Sequence, residues 1–267
     1  QNEIVHKAVA VPGALRVFEA AHKAHASRPW KDLFDPAIAV AEEGWAIRPH
    51  VSTMFTMDET AYGRRNMADK LALTPDGRRL YLGADGQPKR IGAPVRNPDL
   101  AASLRIVAEG GAEAFYSGEL GKKIVADMRV NGGLITADDL TGYRLRTGVP
   151  VMIRFRGYDV ALTDPPTGGV VIGLMLRILE RFDLAALGHN TPEYIRIVAE
   201  AMKIAGLDRD RHIGDPDFVS PPVERLLSDA YADDCASRIK RGEKASLVLA
   251  GAASKNTTHV ACIDRDG

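Results

Sequence analysis

The chain has 267 residues, with 35 basic and 35 acidic side chains, so its formal net charge is zero. A balanced surface lacks the basic excess that polyanionic partners select, which argues against nucleic acids and membrane surfaces. An apolar share of 45% excludes disorder along the whole chain, and no apolar run reaches the roughly 20 residues a bilayer requires.

In chain order, Gln1-Asn2-Glu3 has neither an initiator methionine nor a signal-peptide pattern, so the start reads as missing. A first helix begins after Pro12-Gly13, with Leu15, Phe18, Ala21 and His25 at helical spacing and Pro29 as its stop. Asp35-Pro36 reads as N-cap and first residue of a second helix that ends at Gly44, with Ile38, Ala41 and Ile47 facing a core. Asp76-Gly77 and Asp85-Gly86 bracket Leu80-Tyr81-Leu82, which predicts a short hairpin. Asn97-Pro98 opens a helix carrying Leu100, Leu104 and Val107 and closing at Gly110-Gly111. The next carries Leu120, Ile124 and Met128 and closes at Gly132-Gly133, and Thr136 caps a short turn through Asp139.

The period then changes. Val149, Val151, Ile153 and Phe155 alternate, as do Tyr158, Val160 and Leu162 after Arg156-Gly157, which predicts a β-hairpin. Asp164 to Gly169 separates it from an apolar helix over Val170 to Phe182. Thr191-Pro192 begins the longest helix, with Tyr194, Ile195, Val198, Met202 and Ala205 inward and a charge knot, Asp208 to Arg211, at its end. After the Gly214-Asp215-Pro216 turn, one helical segment is expected from Ser220 through Ile239, a loose loop from Arg241 to Ser254 and a strand from Thr258 to Asp264. The closing Asp264-Arg265-Asp266-Gly267 reads as a turn toward a further strand, so the end reads as cut. The pattern is α+β and helix-rich; without βαβα alternation it does not predict a doubly wound sheet.

Most chemical motifs have a structural explanation. There is no Walker loop, dinucleotide fingerprint or Gly-x-Ser-x-Gly elbow. Gly168-Gly169 at a strand-to-helix junction could present N–H groups to an anion, but is read first as a turn that lets the helix pack closely on the hairpin. His22 and His25 lack a third ligand and read as a solvated helix face, so no metal is expected. Glu42-Glu43, Asp138-Asp139 and Asp233-Asp234 fit helix ends or exposed faces, and the charge knot fits a salt-bridge cluster with Arg209 as a stabilising member. Cys235 and Cys262 are too few for a disulfide framework and leave the compartment open. Thr257-Thr258 at the head of a strand is different. A threonine whose preceding peptide bond is cut gains an α-amine that can serve as base for its own hydroxyl.

Together these pieces resemble the γ-glutamyltranspeptidase family. The matches run in order: Val11-Pro12-Gly13, Pro36-Ala37-Ile38, Ala41 to Gly44, Asn97 to Leu100, Ala114 to Gly118, Gly132-Gly133-Leu134, Asp139-Leu140 and Tyr143, Arg156-Gly157-Tyr158, Pro165 to Gly169, Ala199-Glu200, Asp208-Arg209, Gly214 to Phe218 and Thr257-Thr258-His259. The resemblance implies an N-terminal nucleophile hydrolase fold, a four-layer αββα sandwich, incomplete here. It implies a single domain in which residues 1–256 are the large-subunit part and 257–267 begin the small subunit. It implies self-cleavage between Asn256 and Thr257, with Thr257 as nucleophile on glutathione-type γ-glutamyl amides. The resulting glutamyl ester passes to water or to an amino-acid or peptide acceptor, without a cofactor.

The partners so implied are the γ-glutamyl substrate, the acceptor and the protein's own small subunit, with no membrane span. Family members are commonly exported, so a periplasmic or secreted location is expected. The family's carboxylate-gripping arginine lies upstream of the Pro12-Gly13 region and its oxyanion glycines beyond Gly267. Thr167 stands where serines are usual and Asp164 replaces a proline, so the substrate-binding residues are not named. The 267 residues alone are therefore expected to stay uncut and inactive. A cephalosporin or glutaryl acylase of the same fold and a non-catalytic homologue are the competing readings.

Overall fold

The computed structural model describes residues 4–246, which form two compact units parting between Arg146 and Thr147. The predicted nucleophile, Thr257, and its neighbour Asn256 lie outside the described residues, as does the predicted strand over 258–264.

The first unit is mostly helical. α1 (Ala14–His25) is held by polar side chains: Arg16 pairs with Glu113 at 2.6 Å, and a Glu19 carboxylate oxygen accepts the Ala112 N–H. The expected apolar stripe therefore stays partly open. Phe18 is 61% exposed and, with Leu15, Trp30, Phe34 and Leu104, lines an apolar groove of about 630 Å³. α2 (Asp35–Glu43) has Phe34 as N-cap, one residue before the expected Asp35, because Asp35 already has helical geometry with Pro36 behind it. Gly44 ends α2 at φ 95°, a conformation that favours glycine. The two-residue strands β1 (Trp45–Ala46) and β2 (Pro94–Val95) pair antiparallel and bury Ile47 and Val95.

α3 (Pro49–Thr56) and α4 (Met67–Leu71) lead to α5 (Pro75–Tyr81), which replaces the expected hairpin. Thr74 caps α5 by accepting the Gly77 N–H, so Asp76-Gly77 falls in a first helical turn. Only the Leu82–Pro88 bridge retains extended pairing around Asp85-Gly86. α6 (Pro98–Gly110) is capped by Asn97 as expected, but buries Ala101 and Val107 while Leu100 is exposed. α7 (Glu113–Tyr116), α8 (Glu119–Val130) and α9 (Ala137–Gly142) complete the unit. Leu120 and Met128 are buried in α8, Gly132 turns at φ 70°, and Thr136 with Asp139 forms a reciprocal capping box.

The second unit begins with the predicted hairpin, β3 (Val151–Phe155) and β4 (Tyr158–Leu162), in the register Val151–Leu162, Ile153–Val160 and Phe155–Tyr158. Arg156 and Gly157 both have positive φ, the requirement of a tight two-residue hairpin turn. α10 (Gly169–Leu179) packs on the hairpin, with Gly173 against Leu162, and on α12 (Pro192–His212) and α14 (Asp229–Lys240), where Leu174 and Ile178 join the core. α11 (Leu184–Leu187) and α13 (Val223–Leu226) are single turns.

Two expectations change in this unit. The buried stripe of α12 is Ile197, Glu200, Ala201, Ile204, Ala205 and Asp208, so of the expected inward set Ala205 is buried while Ile195 and Met202 are exposed. The expected single segment from Ser220 to Ile239 is broken before Asp229, where the Ser228 hydroxyl caps a new helix by accepting the Tyr231 N–H. The core of the unit is Leu174, Ile178, Ile197, Ile204, Cys235 and Ile239 with their small neighbours.

Candidate functional site

α12 carries two buried carboxylates in an otherwise apolar stripe. Glu200 is 4% exposed; one of its oxygens accepts the Lys203 ammonium at 2.5 Å and the other the Ala245 N–H at 2.9 Å. Burial alone would raise this carboxyl, but the bonds from Lys203 and Ala245 outweigh it and hold its pKa below the ordinary 4.5. The stabilisation Glu200 contributes is therefore fully present above about pH 4.5 and is lost as pH falls through the lower folded-state value. Thermal melts of the wild type and of Glu200→Gln should differ at pH 7 and converge in acid; a constant gap across that range would contradict the assignment.

One turn before the end of α12, Asp208 is 5% exposed and accepts the Tyr231 hydroxyl at 2.6 Å. Burial, with the Asp208 charge beside it, pushes the Tyr231 phenol well up, and burial next to the same carboxylate pushes the Cys235 thiol up to about 11. Arg209, expected to matter for stability, instead reaches outward to exposed Asp210. Arg209→Ala should shift stability by less than about 1 kcal/mol. Asp208→Ala, which leaves the part-buried Tyr231 hydroxyl without its acceptor, should cost about 1–3 kcal/mol. Denaturant midpoints check both, and equal values would reverse this ranking of the charge knot.

The loop before α10 is closed by local bonds. Thr167 gives its hydroxyl to the Asp164 carbonyl at 2.6 Å and lies against the Thr163 hydroxyl, and its N–H also reaches the Asp164 carbonyl. A β-carbon on Gly169 would lie 2.1 Å from the Thr163 carbonyl oxygen, whereas one on Gly168 would meet nothing within 4 Å. Close packing of helix on hairpin thus explains Gly169, as the sequence suggested.

In the first unit, three motifs that are distant in sequence meet. The Tyr116 hydroxyl donates to the Pro12 carbonyl at 2.6 Å, Tyr143 stacks on Tyr116, and the Arg16 guanidinium lies 4.3 Å from the Tyr116 ring centre. Gly13 leaves room for the Tyr143 ring, since a β-carbon there would overlap the Tyr143 hydroxyl and push the ring aside.

The acidic pairs have structural partners: Glu42 binds Arg105, Asp139 belongs to the Thr136 cap, and Asp233 binds Arg181. His22 bonds the Arg28 carbonyl and meets the Trp30 ring edge-on. Among the described residues, no group of three His, Cys, Asp or Glu side chains could hold a metal ion, and no helix is long and apolar enough to cross a membrane. Glu200 is the residue that sequence reasoning left without a role. A carboxylate in phase with Ile197, Ala201 and Ile204 was the available signal, obscured because the helix was read with Ile195 and Met202 inward.

The family model for γ-glutamyltranspeptidase matches residues 1–267, and the chain belongs to that family. It is 39% identical over 270 residues to an acylase ACY 1 proenzyme of Pseudomonas sp. strain V22, covering 100% of this chain and 47% of that protein. It is 32% identical over 269 residues to a glutathione hydrolase proenzyme of Escherichia coli K12, covering 98% and 45%. The crystal structure of Helicobacter pylori γ-glutamyltranspeptidase superposes with a TM-score of 0.79 at 32% identity, covering 89% of this chain and 66% of that one. The chain thus spans less than half the length of these two curated relatives.

Proposed function

We propose that the protein is the large-subunit part, with the start of the small subunit, of an enzyme that transfers or hydrolyses γ-glutamyl groups of glutathione-type amides. The observation that carries this reading is the family match over residues 1–267, which runs through Thr257-Thr258-His259. On this reading residues 1–256 are the large-subunit part, 257–267 open the small subunit, and the complete enzyme is an αββα sandwich.

The chemistry follows from one threonine. The Thr257 hydroxyl attacks the Asn256 carbonyl carbon; the C–N bond breaks, the nitrogen becomes the Thr257 α-amine, and Asn256 is left as an ester on the side-chain oxygen. Water opens that ester, giving an Asn256 carboxylate and a free hydroxyl. An α-amine has an ordinary pKa near 7.7–8.0, so a useful neutral fraction is available to accept the hydroxyl proton in turnover. The hydroxyl then attacks the γ-glutamyl amide and the proton passes to the leaving amine. Water or an acceptor amine resolves the glutamyl ester.

The second reading, acyl transfer from a cephalosporin-type or glutaryl amide, is favoured by the 39% identity to the acylase proenzyme. A glutaryl group lacks the substrate α-amine, so the two readings part on one functional group. The processed enzyme, made from the complete reading frame, should hydrolyse a γ-glutamyl anilide with a higher kcat/KM than the matching glutaryl anilide. The reverse order would assign the protein to acylase chemistry.

A further inference from the structure

The chain leaves the last described helix along a path fixed at two places. Gly242 turns out of α14 at φ 78°, and Glu243 is held there by Arg241 at 2.7 Å and Arg238 at 3.3 Å. Ala245 then settles against the core of the second unit and gives its N–H to Glu200. The sequence predicted a loose loop from Arg241 onward; over 241–246 the chain is instead tied down.

The second tie is an expensive one. Glu200 lies in the buried stripe of α12 between Ile197, Ala201 and Ile204, where an apolar side chain would fill the space without the cost of burying a charge. Lys203 matches the charge from the same helix, one turn on, and does not need Ala245 to do so. What a carboxylate at this position adds beyond the ion pair is a fixed acceptor for one backbone N–H of the exit segment. Further along that segment in sequence stands the Asn256–Thr257 bond.

We propose that Glu200 is a positioning residue for self-cleavage: by holding Ala245 to α12, it sets where and in what direction the chain departs toward Asn256–Thr257. Attack of a hydroxyl on its own preceding carbonyl depends steeply on placement, and misplacing an attacking group slows a reaction well before it unfolds a protein. Glu200 touches no reacting atom; it acts through Ala245. The proposal rests on the reading that the bond before Thr257 is cut.

The test uses the proenzyme from the complete reading frame, following the appearance of the two fragments by electrophoresis and mass spectrometry. Melting temperatures are measured for each variant in an uncleavable Thr257→Ala background, so that stability and processing are read separately. Glu200→Ala should slow processing about 10-fold or more. Glu200→Gln, which keeps an acceptor for the Ala245 N–H, and Lys203→Ala, which removes only the ion pair, should stay within about 3-fold of wild type.

Tyr231→Phe removes a different bond to α12, the one to Asp208, and lies away from the exit segment in sequence; it should lower the melting temperature and leave the processing rate unchanged. If Glu200→Ala does not fold, Ala245→Pro deletes the same bond from the other partner and should slow processing to a similar extent. A wild-type rate in Glu200→Ala, or in Ala245→Pro where that variant must stand in, overturns the proposal. So does a slowing in Lys203→Ala or Tyr231→Phe as large as that in the tether variants. Failure of the wild-type proenzyme to cut at Asn256–Thr257 would instead overturn the functional reading beneath it.

Discussion

Replacing Thr257 by alanine in the proenzyme is expected to leave one uncut polypeptide with no measurable turnover of a γ-glutamyl anilide. Both effects follow from deleting one oxygen. On the proposed mechanism the hydroxyl is the group that attacks the Asn256 carbonyl, and without it there is no ester for water to open. The same oxygen, once the α-amine beside it is free, is the proposed nucleophile toward substrate, so processing and turnover are expected to fall together. Loss of a nucleophile in other covalent hydrolases costs on the order of 10⁶ in kcat, below the floor of an anilide assay. Thr257→Ser keeps the oxygen and should still be cut at the same bond. Thr258→Ala removes the neighbouring hydroxyl and should not move the cut. Fragments of Thr257→Ala with the wild-type masses would show that another group attacks, and retained turnover would place the nucleophile elsewhere.

Where local chemistry alone decides an element, the sequence was readable. Asn97, Thr136 and Thr191 are caps in the structure as in the sequence, because an N-cap bond spans only a few residues and needs no tertiary partner. The β3–β4 hairpin was readable for the same reason: alternation and the Arg156-Gly157 turn fix its register. Errors arose where two local signals competed or where packing chose between faces. Asp76-Gly77 is a good turn, but Thr74-Pro75 is a better helix start, and α5 forms. In α12 both Ile195 with Met202 and Ile197 with Ile204 make an apolar stripe, and packing against α10 and α14 selects the second.

That choice of face also hid the two residues of most interest in the second unit. Glu200 and Asp208 fall on the buried stripe only in the observed phase, and a charge inside an apolar stripe is informative because it is costly. The partners that justify them, Ala245 and Tyr231, lie on other elements and leave no trace in the spacing of α12. The proposed nucleophile Thr257 lies outside the described residues, and in the sequence it rests on the family resemblance, since a Thr-Thr pair at the head of a predicted strand carries little signal on its own.

The adjacent glycines at the start of α10 should respond in opposite ways to the same substitution. Gly169→Ala places a methyl 2.1 Å from the Thr163 carbonyl oxygen and 2.6 Å from its nitrogen, both backbone atoms of the chain entering the loop. No rotamer change relieves that overlap, so α10 must shift away from the hairpin it packs on. The expected cost is about 3 kcal/mol or more, at the upper end for overpacking, because rigid main chain and not the tip of a side chain is in the way. Gly173 shows the contrast within the same helix: a methyl there would meet the ends of Leu162 and Leu227, which can rotate.

At Gly168 a methyl meets nothing within 4 Å and φ is −76°, which alanine adopts freely. Gly168→Ala should therefore leave stability unchanged or raise it by up to about 1 kcal/mol, by narrowing the unfolded ensemble. Urea midpoints of the two variants give the comparison directly, and equal midpoints would mean that the close approach of α10 to Thr163 is not what requires glycine here. The same pair tests the other use of this junction. The first N–H groups of a helix can receive an anion. A rise in KM for an anionic substrate in Gly168→Ala, with its midpoint unchanged, would assign binding to the helix start in addition to packing; an unchanged KM would leave packing as the whole reason for the Gly168-Gly169 pair.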